Sequence, residues 1–245
     1  MTTKRPRLLV LERHGESLLN QVRADSPIFF SDEEKKNLFK DMPDHKVGLS
    51  AEGVQQAVLT GVAMHERGFR FDRVYDSGYA RTVQTLDYNL EAYSETEKRV
   101  MQRKHDILLR ERETGYAYSM NRDYILKTFP WYQEYWQTHG PIFARPLGGE
   151  SVADVIVRVE PFLDKLFEET EGERVLLVIH GRVLSAIRYL LEGWDYTILE
   201  KFLSGHGPKN CSLTTYETSL ITGEFLLKEY DTCLYQLELE LASAV

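Results

Sequence analysis

The 245-residue chain is 42% apolar and 28% charged, values of an ordinary globular protein that exclude a largely disordered or fibrous polypeptide. Thirty-eight acidic against thirty basic side chains leave a net charge of −8, which argues against general attraction to nucleic acid or an anionic membrane. A small anion held by a few local cations stays compatible with that balance. The two cysteines, Cys211 and Cys233, are too few for a disulfide framework and lack zinc-site spacing, so they read as packing residues.

The length suits one α/β domain over residues 1–245. Near the start, Leu8 to Leu11 is a continuous apolar run, as expected of a strand covered on both faces. It is too short for a signal sequence or membrane span, which predicts a cytoplasmic protein, and it runs at once into Arg13-His14-Gly15. Residues 21–48 are polar, with Ser31 to Lys36 starting a short surface helix. Ser50-Ala51-Glu52 opens a helix that Val54, Ala57, Val58, Val62 and His65 continue and Gly68 ends. Arg73-Val74-Tyr75 and Asp106 to Leu109 read as two further strands, leading to Ser77-Gly78 and Arg110-Glu111. The stretch 116–147 is rich in aromatics and reads either as part of a substrate lid or as a packed helical hairpin. Ser151 and Asp154 resemble a capping box before the apolar face Val155, Val159, Phe162, Leu163, Leu166 and Phe167. Val175 to Ile179 is a second apolar run, ending in His180-Gly181-Arg182. Cys211 to Glu217 and Glu224 to Tyr230 read as an antiparallel pair, and Leu234 to Leu241 alternates like a last strand. That strand can pair within the chain, the preferred reading, or across a homodimer.

Two histidines that each follow a buried strand organise the chain, because ligands in open α/β sheets bind beyond the carboxyl ends of the strands. Neutral His14 can attack phosphorus while Arg13 holds the phosphoryl oxygens, with Gly15 allowing close backbone approach. His180 can donate a hydrogen bond to the same oxygens. His45, His65, His105, His139 and His206 have no paired motif and read as structural or surface residues. No metal-ligand spacing such as His-Glu-x-x-His occurs, so neither a metal nor another cofactor is called for.

Five motifs fall in the order found in the histidine phosphatase superfamily, which includes the cofactor-dependent phosphoglycerate mutases, and the chain resembles that family over about residues 7–217. They are Arg13-His14-Gly15-Glu16-Ser17 with Asn20, Leu49 to Ala57, Ser77 to Thr85 with Arg81, Leu109 to Gly115 with Glu111, and Gly149-Glu150-Ser151 with Asp154 and Arg158 before His180-Gly181. The resemblance implies a phosphoglycerate mutase-like fold, a mostly parallel central sheet with helices on both faces. It makes His14 the nucleophile that becomes a phosphohistidine, with Arg13, Arg81 and His180 on the phosphoryl oxygens and Glu111 as proton donor. Asn20 resembles a residue that donates to phosphate. Ser77 either does likewise or caps the following helix. Gly181 and Arg182 join the binding residues, Arg182 either touching substrate or pairing with an acid. Glu113 is the rival for the acid role. Two departures stand out: Glu12 replaces an apolar residue, and Arg182 stands where a small residue is frequent.

The expected activity is hydrolysis of a small phosphomonoester, because residues 21–48 and 116–147, which could form the lid, differ from their mutase counterparts. Phosphoryl transfer of the mutase type is the alternative. A non-catalytic phosphate-binding module is disfavoured, since Arg13, His14, Arg81, Glu111 and His180 are all present.

Overall fold

The structure, a computed structural model, describes residues 4–23, 30, 33–120 and 122–243. Six strands form one sheet: β1 (Leu8–Arg13), β2 (Arg73–Asp76), β3 (Gln102–His105), β4 (Arg174–Ile179), β5 (Leu213–Thr218) and β6 (Phe225–Thr232). Their order is β3-β2-β4-β1-β5-β6. The first four run parallel, and β5 and β6 are added antiparallel at one edge, so the sheet is mixed but mostly parallel.

The apolar runs of β1 and β4 lie at the sheet centre and are buried on both faces, which is why they carry no polar alternation. Leu9, Leu11, Val175, Leu177 and Ile179 pack under the helices Val152–Glu169 and Gly181–Glu192. Val10, Leu176 and Val178 face Ala63 and Met64 of the Ala51–Glu66 helix and Leu86 of the Ala80–Leu90 helix. Each such aliphatic side chain contributes roughly 1.5–3 kcal/mol by leaving water. The caps read from sequence are present. The Ser50 side chain accepts the Gly53 amide, and Ser151 and Asp154 cap one another reciprocally. Gly68 follows the Ala51–Glu66 helix at φ +79°, a conformation glycine adopts freely.

Two expected strands are corrected. Asp106 to Leu109 is not a strand: the Asp106 side chain accepts the Leu108 amide and starts a 3-10 turn at Ile107–Leu109. The strand is the polar run before it, Gln102–His105, a fully exposed edge that needs only backbone pairing to β2. Leu234 to Leu241 is not a strand but part of the helix Leu234–Ser243. From Cys233 to Ser243 no residue is β-branched, and Leu, Glu and Gln favour helix, so propensity outweighs the alternation. Leu234 and Tyr235 dock beside Met64 and Ala57 of the Ala51–Glu66 helix, which removes the strand offered for pairing across a dimer.

The short surface helix is Glu33–Asn37; Ser31 and Asp32 lie outside the described residues. The aromatic stretch holds helices Arg122–Thr128 and Tyr132–Phe143, with Ile125, Tyr132 and Ile142 buried. Among the described residues no helix is long and apolar enough to cross a membrane.

Candidate active site

The chain leaves β1 toward the Ala51–Glu66 helix on one face and leaves β4 into the Gly181–Glu192 helix on the other. These two strands are hydrogen-bonded neighbours, paired Arg13 to Ile179, so their carboxyl ends open one crevice. A cavity of about 490 Å³ lies there, lined by Arg13, His14, Asn20, Arg23, Asp44, Arg81, Glu111, Arg112, Gly181, Arg182 and Asn210 among others.

His14 is 3% exposed. Its Nδ1 lies 2.7 Å from the Gly15 carbonyl oxygen, which can only accept, so the neutral ring carries its proton on Nδ1 and leaves Nε2 bare. Burial holds His14 well below the usual histidine range, and Arg81 and Arg13 push it further down. The result is a neutral imidazole with a free lone pair at physiological pH. Gly15 is required at its place because a Cβ there would stand 2.6 Å from the Gly53 carbonyl oxygen.

His180 begins the Gly181–Glu192 helix and is fully buried. Its ring centroid is 5.1 Å from that of His14. Its Nε2 lies 2.8 Å from Ser77 Oγ, while Nδ1 is buried without a hydrogen-bond partner among the described residues. Burial, then Arg81, keeps this histidine also well below the usual range. The Arg13 Nη1 donates to the Pro208 carbonyl, and its Nε is buried and unpartnered among the described residues. Arg81 donates from Nη1 and Nη2 to the Asp44 carboxylate. Four of the five residues read as catalytic thus line the cavity, and the fifth, His180, touches His14.

Glu111 lines the cavity, whereas Glu113 turns away and accepts the Tyr79 hydroxyl at 3.0 Å. Asn20 lines it too, with its carbonyl oxygen taken by Ser17 and its amide nitrogen available. Gly181 and Arg182 are at its wall. Ser77 is placed otherwise. It is not the helix cap, which is Tyr79, nor among the lining residues; its hydroxyl meets His180 and Thr82.

The reading from sequence missed Arg23, Asp44, Arg112 and Asn210. Arg112 had a signal, being the neighbour of Glu111, and it is 7% exposed. Burial, then nearby Arg182, pushes its guanidinium down to about 10. Asn210 donates to the His14 carbonyl at 2.9 Å from 196 residues away, a contact with no local signature. Arg23, lying over the Phe30 ring, and Asp44 come from the polar stretch 21–48. None of the described residues of 116–147 lines the cavity. Glu12, the odd residue before Arg13, is fully buried and accepts from Asn89; burial pushes its carboxyl up to about 8, so it is neutral at pH 7.

Comparison with known proteins identifies the family and the fold. The family model of the histidine phosphatase superfamily (branch 1) matches residues 9–228. A 2,3-bisphosphoglycerate-dependent phosphoglycerate mutase of Afipia carboxidovorans is 34% identical over 193 residues, covering 76% of this chain and 81% of that protein. A phosphoglycerate mutase of Schizosaccharomyces pombe is 32% identical over 197 residues, covering 79% and 83%. Among solved structures, a mycobacterial glucosyl-3-phosphoglycerate phosphatase superposes with a TM-score of 0.66 at 21% identity, covering 94% of this chain and 99% of its own. A phosphoglycerate mutase of Bacillus anthracis gives 0.63 at 18%, covering 96% and 97%. These last two likenesses establish the fold.

Proposed function

The chain belongs to the histidine phosphatase superfamily, and we propose that it is a phosphomonoester hydrolase working through a covalent phosphohistidine on His14. The observation that carries this reading is the Nδ1 contact of His14 with the Gly15 carbonyl at 2.7 Å, which aims a bare Nε2 into a cavity of arginines. In the first step Nε2 forms the bond to phosphorus as the ester P–O bond breaks, and Glu111 gives its proton to the leaving alkoxide. Arg13, Arg81 and His180 hold the three phosphoryl oxygens while charge redistributes. In the second step water attacks phosphorus, Glu111 takes its proton, and the N–P bond breaks to release phosphate and restore His14. Glu111 is partly exposed at the cavity wall, and no described residue of 116–147 covers it, which favours water as acceptor.

The cavity holds more positive charge than one phosphate needs. The guanidinium groups of Arg112 and Arg182 have no hydrogen-bond or ion-pair partner among the described residues, although the Arg112 backbone amide donates to the Glu111 carboxylate, and the Glu111 charge partly compensates both. A buried guanidinium group at Arg112 beside a half-buried one at Arg182 calls for a counter-charge, so the substrate of this reading carries a second anionic group beside the ester.

The mutases among its relatives favour a second reading, in which the phosphoryl group returns to a bound product. Incubation of the protein and of His14→Ala with a panel of phosphomonoesters separates the two. Phosphate release with acid-labile labelling, both lost in the variant, is expected. Transfer between glycerate positions that depends on a bisphosphoglycerate would shift the assignment to a mutase, and neither release nor labelling from any ester would end the enzyme reading.

A further inference from the structure

Ser77 and Thr82 lie behind the cavity, outside the reaction just described, and their hydroxyl protons can be counted. The Thr82 hydroxyl donates to the Tyr79 carbonyl at 2.9 Å. A threonine hydroxyl has one proton, so in its 2.9 Å contact with Ser77 the Thr82 oxygen must accept. Ser77 therefore gives its own single proton to Thr82. Two contacts of Ser77 Oγ remain, the Tyr79 amide at 3.3 Å and His180 Nε2 at 2.8 Å, and in both the serine oxygen can only accept. All four groups are buried, so water does not disturb the count.

We infer that the Thr82–Ser77 pair positions His180 with its proton on Nε2, and that a phosphoryl dianion is consequently bound with one additional proton, on His180 Nδ1. The inference rests on the reading of the cavity as a phosphate site. Nδ1 of the neutral ring is a bare lone pair, which repels a phosphoryl oxygen; only the imidazolium, or a phosphoryl group that brings its own proton, makes that hydrogen bond. Without ligand the imidazolium is opposed first by burial, then by Arg81 from the Ala80–Leu90 helix, by His14 and Arg13 at the end of β1, and by Arg158 from the Val152–Glu169 helix. Tyr79, the remaining polar neighbour, presents its ring at 5.2 Å. An incoming dianion offsets those cations and so favours proton uptake at His180 Nδ1, the ring nitrogen of His180 with no partner among the described residues.

The residue that tests this is Thr82, which touches neither the cavity nor His14. Thr82→Val keeps the side-chain shape but removes the acceptor for the Ser77 proton, so Ser77 turns that proton toward His180 Nε2 and the ring moves its own to Nδ1. Thr82→Ser keeps the wild-type arrangement. Nitrogen-15 correlation spectra, with His180 assigned by its loss in His180→Asn, read the tautomer without ligand: Nε2–H in wild type and Thr82→Ser, Nδ1–H in Thr82→Val. Calorimetric titration with inorganic phosphate in buffers of different ionisation enthalpy, at about pH 8 where phosphate is mostly dianionic, counts protons. Wild type takes up about one proton more per phosphate than Thr82→Val, a difference that cancels any uptake by His14. Wild-type His180 protonated on Nδ1, or equal proton counts in the two proteins with unchanged thermal unfolding, would overturn the inference. Failure of wild type to bind phosphate would overturn the proposed function and the proton uptake together, while the tautomer would still be decided by the spectra.

Discussion

The Asp44 carboxylate sits on the Arg81 guanidinium, Oδ1 at 3.0 Å from Nη1 and Oδ2 at 3.2 Å from Nη2, inside the cavity where a phosphoryl group is proposed to bind. Two carboxylate oxygens on one guanidinium fork are the arrangement a phosphate would also adopt, so Asp44 stands in for the ligand.

Asp44 is partly exposed, so its hold on Arg81 is modest, on the order of 1 kcal/mol. Asp44→Asn is expected to tighten inhibition by inorganic phosphate roughly threefold to tenfold. A weaker or unaltered inhibition constant would mean that Asp44 orients Arg81 rather than competing for it.

His14, the proposed nucleophile, should remain neutral below pH 6.5, because burial and two arginines disfavour its cation. The acid limb of kcat/KM is therefore expected below the usual histidine range. Replacing Arg81 by Ala removes one of the two cations, raises the His14 pKa, and moves that limb upward along with its large loss of rate. A pH–rate profile in which the limb stays in place would show that Arg81 does not act on His14.

Glu12 makes stability fall with rising pH. Its folded-state pKa of about 8 lies above its ordinary value of 4.5, so the folded chain binds more protons than the unfolded one between those two pH values. Stability is highest below the unfolded pKa and declines through the folded one, by on the order of 3 kcal/mol up to pH 7. Glu12→Gln is expected to flatten that slope and to be the more stable protein at pH 8; chemical denaturation at several pH values checks it.

Arg112 and Arg182 should discriminate substrates. Alanine at either is expected to raise KM for phosphomonoesters with a second anionic group by roughly tenfold, and to leave p-nitrophenyl phosphate within about twofold. Equal losses on both kinds of substrate would place these arginines on the phosphoryl group itself.

What could be read from the sequence was local in origin. The two buried strands, each followed by a histidine, announce themselves as uninterrupted apolar runs, and the caps at Ser50 and Ser151 need only neighbours three residues away. Asp44 on Arg81 and Asn210 on His14 are products of chain folding across 37 and 196 residues, and no period or motif encodes them. Edge strand β3 was hidden for another reason: a strand paired on one side and exposed on both faces needs no apolar pattern. The final helix was misread because leucine at every second position also satisfies a helix whose propensities agree.

His14 and His180 each stand one residue beyond paired positions of two adjacent parallel strands, Arg13 and Ile179. Strands in a sheet are held about 4.8 Å apart by the backbone alone, and the two rings are 5.1 Å apart. The separation of the two histidines is thus set by the sheet spacing, owed to no loop. Segments outside these two strands could be lengthened, shortened or exchanged without resetting that spacing, so in this architecture reshaping the rest of the cavity and preserving the separation of the two histidines are separable problems.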